Sequence, residues 1–198
     1  MEHPLDEPQA IRRWREGDPE GLATLVHRYE LRALRVAYPI LQDRMDAEDA
    51  AQNAFLRAWQ HRHRFDPERP FWPWFLRLVI RESQRIAGQR RSRPALAPGS
   101  EKDLWAVETQ WKDHDPLPEE IAEQNESREA LWRALRGLSP AQRTAVVLRY
   151  YEDLSEREIA EAMGCSVGAV KHYLYEARQR LRLALKSIEA SSPAVPDP

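Results

Sequence analysis

Two capping boxes in the C-terminal half fix where helices must begin. Ser139-Pro140-Ala141-Gln142 and Ser155-Glu156-Arg157-Glu158 both read Ser-x-x-Gln/Glu, in which the serine oxygen and the residue three on satisfy each other's backbone amides. Pro140 suits a first helical position. The first helix is expected to run to about Tyr151 and the second to about Met163. Gly164-Cys165 then makes a turn, and Ser166 can cap a last, longer helix. On that helix Val167, Val170, Leu174, Ala177 and Leu181 recur at three- and four-residue spacings and make one buried stripe, packing on Leu154, Ile159, Ala160 and Met163. Lys171, His172, Tyr175, Arg178, Gln179 and Arg182 fall on the opposite face. A second helix with long donors and an aromatic on its outer face is the helix-turn-helix arrangement, which reads base edges in the major groove. Lys and His can donate to guanine O6 and N7, Tyr can meet a thymine methyl or a phosphate, and Arg178 and Arg182 are better placed for phosphates. The plainer alternative is a helix pair with a solvated basic face.

The rest of the chain also has helical period and no sustained strand-like alternation, so the fold class is all-α. Ile11 and Trp14 predict a short helix ending at Gly17. Asp18 and Pro19 start another, with Leu22, Leu25, Val26, Tyr29, Ala33, Val36 and Ala37 on its apolar face, and Pro39 should kink or end it. Asp46 is expected to cap a third helix, buried through Ala51, Ala54, Phe55, Ala58 and Trp59. The Pro-broken loop "FDPERP" precedes "FWPWFLRLVIRESQRIAGQRR", a helix that begins aromatic and ends basic. Phe71, Trp72, Trp74 and Phe75 can be read as core. Aromatics beside a basic helix also serve single-stranded DNA, whose bases stack while Arg holds the backbone.

Segments 92–118 and 189–198 lack a period. The first has four prolines among many acids and reads as a linker, with domains expected at 8–92 and 119–188 and a short disordered tail after them. A helix from Glu119 to Arg136, with Ile121, Leu131, Trp132 and Leu135 inward, would open the second domain.

The net charge of −2 conceals strong segregation. Residues 81–93 carry five Arg and one Glu; residues 166–186 carry five bases and one Glu; residues 101–129 carry ten acids and three bases. Two basic patches can bind an anionic polymer despite an acidic mean. No apolar run approaches the roughly 20 residues of a membrane span. "MEHPLDEPQA" lacks a basic stretch followed by an apolar core, and the single Cys165 cannot form an intramolecular disulfide, so a cytoplasmic location is expected. Cys165 reads as a small buried packing residue. Asp43, Asp46, Glu48 and Asp49 read as caps and surface charge, and His61 and His63 as surface residues. No metal, cofactor or catalytic centre is expected.

Both halves resemble the extracytoplasmic-function group of bacterial sigma factors. The resemblance rests on "DAEDAAQNAFLRAW", on "RFDPERPFWPWFLRLVIR" and on "LSPAQRTAVVLRYYEDLSEREIAEAMGCSVGAVKHYLYEARQRLR", and it covers residues 8–188. It implies a transcription initiation factor, not an enzyme, that binds core RNA polymerase, directs it to promoters and stabilises the melted strands. Asp49, Gln52 and Asn53 would meet the polymerase. Phe65, Asp66, Glu68, Arg69, Phe71, Trp72, Arg77 and Arg81 would hold the non-template strand at the −10 element. Ser166, Lys171, His172, Tyr175, Glu176, Arg178 and Arg182 would read the duplex −35 element. The linker would thread the polymerase cleft, and an anti-sigma factor commonly sequesters members of the group. Arg81 and Arg85 stand where the family usually has Asn and Asp, and Glu176 where a base is frequent, so the resemblance carries strand binding and not promoter preference. The competing readings are a stand-alone helix-turn-helix regulator, against which the lack of a dimerisation helix counts, and a nuclease or recombinase with a DNA-binding tail.

Overall fold

The computed structural model describes residues 5–91 and 131–189, in two compact units. The expected linker, most of the expected 119–136 helix and the C-terminal tail lie outside the described residues.

The first unit holds α1 (Glu7–Glu16), α2 (Pro19–Leu41), α3 (Arg44–Gln60) and α4 (Phe71–Arg91), with a single 3₁₀ turn at Arg62–Arg64. α1 starts in a capping box formed by Asp6 and Gln9 and ends at Gly17, whose φ of 91° is left-handed. The chain turns at once into α2, capped by Asp18. Gly21 lets the two helices touch, because a Cβ there would stand 2.6 Å from the carbonyl oxygen of Ala10. α2 does not stop at Pro39 but carries on for two residues, to Leu41. The proline lies in the last turn, where it forfeits one backbone bond, and the buried Ile40 and Leu41 hold the turn in place.

α3 begins at Arg44 and is capped by Asp43, not Asp46: the Asp43 carboxylate accepts from the Asp46 amide at 3.1 Å. Its inner face is almost all alanine (Ala47, Ala50, Ala51, Ala54 and Ala58), which lets α2 and α4 approach closely. α4 is the central element. Phe71, Trp72, Phe75, Leu76, Val79 and Ile80 are all buried, a stripe wide enough to face α2 and α3 together.

The second unit has helical residues 131–136, then α5 (Pro140–Tyr150), α6 (Glu156–Met163) and α7 (Val167–Glu189). Both capping boxes form. Ser139 Oγ accepts from the Gln142 amide at 3.3 Å, and the Ser155 amide donates to the Glu158 carboxylate at 2.8 Å. Hydrogen bonds from the Ser155 hydroxyl and amide hold the Glu158 carboxyl below its ordinary pKa. Gly164 adopts φ 65° at the turn, a conformation that favours glycine, and Ser166 Oγ accepts from the Ala169 amide at 3.1 Å to start α7. Val170, Leu174 and Ala177 are buried with Ala145, Leu148 and Ile159. Trp132, Leu135 and Leu138 pack on Ala177, leaving the neighbouring Leu131 on an exposed flank, although the sequence places it inside. Cys165 is likewise only part-buried; burial still pushes its thiol pKa up.

Gly21→Ala is expected to destabilise the first unit by about 1–3 kcal/mol, since the added methyl has backbone, not flexible side chain, in its way. Chemical denaturation of parent and variant measures it, and equal stabilities would refute the close approach.

Candidate nucleic-acid interface

The exposed face of α7 carries Lys171, His172, Tyr175, Arg178, Gln179 and Arg182, opposite the buried stripe. Tyr175 is 59% exposed, far more than packing requires of a tyrosine. Ser166 is exposed at the helix start and Glu176 is half-buried at the edge of the face. Lys171 Nζ lies 3.8 Å from Glu156 on α6, a solvent-exposed pair worth little to stability. Arg178 Nε donates to the Tyr150 hydroxyl at 3.0 Å. Tyr150 and its neighbour Tyr151 are both half-exposed or more, so the end of α5 extends the face. Nothing in the linear sequence singles out either tyrosine. Their position at the end of a capped helix, beside the basic face, shows only once α5 and α7 are packed.

In the first unit the outer side of α3 presents Asp49 and Gln52, with Asn53 half-exposed and donating to its own helix at the Asp49 carbonyl, 2.8 Å away. Met45 is 76% exposed and Leu56 58% exposed on the same side. Met45, Asp49, Gln52 and Leu56 are spaced four, three and four apart, one helical stripe. Large apolar side chains at both ends of a polar stripe suit docking on another protein. The spacing is legible in the sequence, but exposure of the two apolar residues is not.

The loop before α4 is a tight turn. Asp66 accepts from the Glu68 amide at 3.1 Å through its side chain and from the Arg69 amide at 3.1 Å through its carbonyl. Asp66, Glu68 and Arg69 are exposed, Arg77 is half-exposed and Arg81 is exposed. Phe65, Phe71 and Trp72 are not: they are 2%, 0% and 7% exposed. The expectation that these three rings offer faces to a base is therefore corrected. Trp14 packs edge-on against Phe65 and Phe71 at 5.7 and 5.4 Å between ring centres. Trp72 stacks on Tyr29 at 5.6 Å, and the Arg32 guanidinium sits 4.1 Å from its ring centre. The first turn of α4 must close the core as well as enter it, so adjacent positions are buried together.

The basic stretch of α4 is also less available than its sequence suggests. Arg85 Nε lies 2.7 Å from the buried Glu82, which Arg57 on α3 also approaches at 3.2 Å. Arg90 reaches Asp43 Oδ2 at 2.6 Å and also pairs with Asp46. Burial works against Asp43 ionisation, but the hydrogen bonds from Arg90 and the Asp46 amide prevail and hold its pKa below the ordinary value. Burial pushes Asp46 up, and Arg90 only partly offsets it. Arg81, by contrast, stays exposed for an external anion.

Comparisons with known proteins find matches for both units. The family model described as Sigma-70 region 2 matches residues 25–93, and that described as Sigma-70, region 4 matches residues 128–181. The Bacillus subtilis ECF RNA polymerase sigma factor SigW is 30% identical over 183 residues, covering 90% of this chain and 96% of that protein. The Pseudomonas aeruginosa RNA polymerase sigma-H factor is 27% identical, covering 91% of this chain and 94% of that protein. Among solved structures, CnrH in complex with the cytosolic domain of CnrY matches with a TM-score of 0.60 at 23% identity, covering 92% of this chain and 99% of that one. The sigma factor RpoE in complex with the anti-sigma factor NepR from Bartonella quintana matches at 0.53 and 22% identity, covering 79% and 91%. These two structures share the fold.

Trp72→Ala is expected to destabilise the first unit by about 3–5 kcal/mol, as loss of a buried Trp does. A denaturant titration measures it. A change of a few tenths would return the ring to the surface.

Proposed function

The chain belongs to the extracytoplasmic-function sigma factors, which direct RNA polymerase to promoters, and from that premise we propose which of its residues do each part of the work. It is not an enzyme: it acts by binding core polymerase and promoter DNA. The domains are proposed at 8–92 for region 2, 93–118 for the linker, 119–188 for region 4 and 189–198 for the tail.

The −35 duplex meets the exposed face of α7. Lys171, His172, Tyr175 and Glu176 reach base edges, while Ser166, Arg178 and Arg182 hold phosphates, with Tyr150 steadying Arg178. The observation that carries this reading is the complete separation of that face from the buried Val170–Leu174–Ala177 stripe. Glu176, where the family often has a base, can accept from cytosine N4. Core polymerase docks on α3, with Asp49, Gln52 and Asn53 framed by Met45 and Leu56. The melted −10 strand runs over the Asp66–Arg69 turn toward Arg77 and Arg81. Phe65, Phe71 and Trp72 serve this surface from beneath, by fixing where the turn leaves the core. The protein works in the cytoplasm, where polymerase is, and no described helix is long and apolar enough to cross a membrane. Capture by an anti-sigma factor is proposed from the complexes in which its structural neighbours occur. A stand-alone regulator is not favoured: the region 2 match and the α3 stripe have no use in one.

The deciding experiment is transcription by core polymerase with and without the protein, on promoters found by mapping transcript starts after overproduction. Initiation only in its presence is expected, and equal transcription in both arms would refute the proposal. His172→Ala or Lys171→Ala is expected to weaken promoter binding in a sequence-dependent way, by about 1–3 kcal/mol. Arg182→Ala should weaken all duplexes alike and lower the salt slope by about one unit. Uniform losses in both would remove the base-reading assignment. Asp49→Arg should reduce core binding while leaving duplex binding intact; undiminished pull-down of core by the folded variant would move the interface off α3.

A further inference from the structure

The sulfur atoms of the chain are unequally shielded. There are three methionines and one cysteine. Met1 lies outside the described residues. Met163 and Cys165 belong to the second unit and are part-buried. Burial also pushes the Cys165 thiol pKa up, away from the thiolate that oxidants attack. Met45, in the first unit, is open: at 76% it is the most exposed large apolar side chain among the described residues.

Its backbone is nonetheless held. The Met45 and Asp46 amides both donate to the Asp43 carboxylate, and Arg90 grips that carboxylate at 2.6 Å. An exposed thioether therefore stands on a fixed helix start, at one end of the Met45–Asp49–Gln52–Leu56 stripe. Thioethers react with peroxides directly. A sulfur lone pair attacks one peroxide oxygen, the S–O bond forms as the O–O bond breaks, and the departing oxygen takes the proton of the attacked one and leaves as water. Sulfur is oxidised to the sulfoxide and the peroxide is reduced. An apolar, adaptable side chain becomes a polar one with a strong acceptor, which is costly to bury without a donor.

We propose that Met45 is an oxidation site through which peroxide keeps the free protein from docking on core polymerase. It rests on the reading that core docks on α3, and it adds a control to that surface. Docking covers the thioether, so the free chain is the form that peroxide reaches. Leu56, at the other end of the stripe, has no sulfur, so the control acts through one side chain and leaves the charges of the stripe as they are. Methionine sulfoxide reductases return the sulfoxide to the thioether, so the modified state is reversible.

The test treats the full chain with hydrogen peroxide, removes the peroxide and reads oxidation at each methionine by peptide mass spectrometry. Met45 is expected to oxidise well before Met163. At a dose that oxidises Met45, core affinity should fall about tenfold, the scale of one apolar side chain's burial, while −35 duplex affinity stays unchanged. Methionine sulfoxide reductase should restore core binding, and a chain bound to core beforehand should keep Met45 reduced. Met45→Leu should lose no core affinity on peroxide treatment. Met45→Gln, polar without treatment, should bind core about as weakly as the oxidised parent. Full core binding by a chain oxidised at Met45 overturns the proposal. So does an equal loss in treated Met45→Leu, which puts the lesion elsewhere, and so does oxidation of Met163 ahead of Met45. If the folded Asp49→Arg variant retains core binding and the bound chain still oxidises at Met45, the α3 reading falls and the proposal falls with it. If Asp49→Arg loses core and the Met45 sulfoxide does not, only the Met45 assignment falls.

Discussion

The burial of one face of α4 is the constraint from which the first unit follows. Phe71 and Phe75 lie 5.4 Å apart and stacked, and Phe75 meets Phe55 of α3 at 4.4 Å. Trp14 of α1 and Tyr29 of α2 close on the same rings from the other helices. Aromatic pairs at such distances contribute about 0.5–1.5 kcal/mol each beyond the area they bury. More important for function, large rigid rings admit few arrangements. The turn at Asp66–Arg69 enters and leaves between buried Phe65 and buried Phe71, so its exposed side chains are displayed from fixed ends. A surface that must receive a flexible strand gains from being rigid itself, because less ordering is left for binding to supply.

Ionic contacts then tie the proposed working helices to each other. Glu82 is 6% exposed and would be costly to bury alone; Arg57 from α3 and Arg85 from its own helix answer it. Arg90 links the far end of α4 to Asp43 and Asp46 at the start of α3. These arginines are near half-exposed, so the pairs add little net stability. What they fix is register: the helix proposed for polymerase is joined near both its ends to the middle and the C-terminal end of the helix proposed for the melted strand. This also accounts for Arg85, which departs from the family pattern and here serves a neighbouring carboxylate.

The second unit is held differently. Its buried core among the described residues is aliphatic, mostly alanine and leucine with no buried aromatic ring, and two of its helices are short. Local devices therefore matter more: two capping boxes, a serine cap and a left-handed glycine set the helix starts and the turn. Arg143, buried, donates to the Leu138 carbonyl at 2.8 Å, and Arg149 to the Leu154 carbonyl at 2.9 Å, so two arginines that look like surface charge hold loops instead. With its start and turn fixed this way, α7 is free to carry long polar side chains along its outer face.

The sequence by itself determined what is local. Period placed the helices, serine and aspartate their starts, Gly17 and Gly164 their stops, and the stripe on α7 told its inner from its outer face. These rest on interactions within a few residues, which a linear reading can trace. The tertiary structure decided whatever depends on a partner far along the chain. The Asp43 cap is itself a local bond, three residues long, but nothing near Asp43 or Asp46 shows that Arg90 will come to both. Pro39 reads as a kink or an end of its helix, and the buried Ile40 and Leu41 are what carry the last turn two residues past it. Phe71 and Trp72 have the composition of a base-stacking site, and only packing against Trp14 and Tyr29 makes them core. Met45 and Leu56 have the composition of core, and only the alanine face on the opposite side of α3, which takes all the room its neighbours leave, puts them outside.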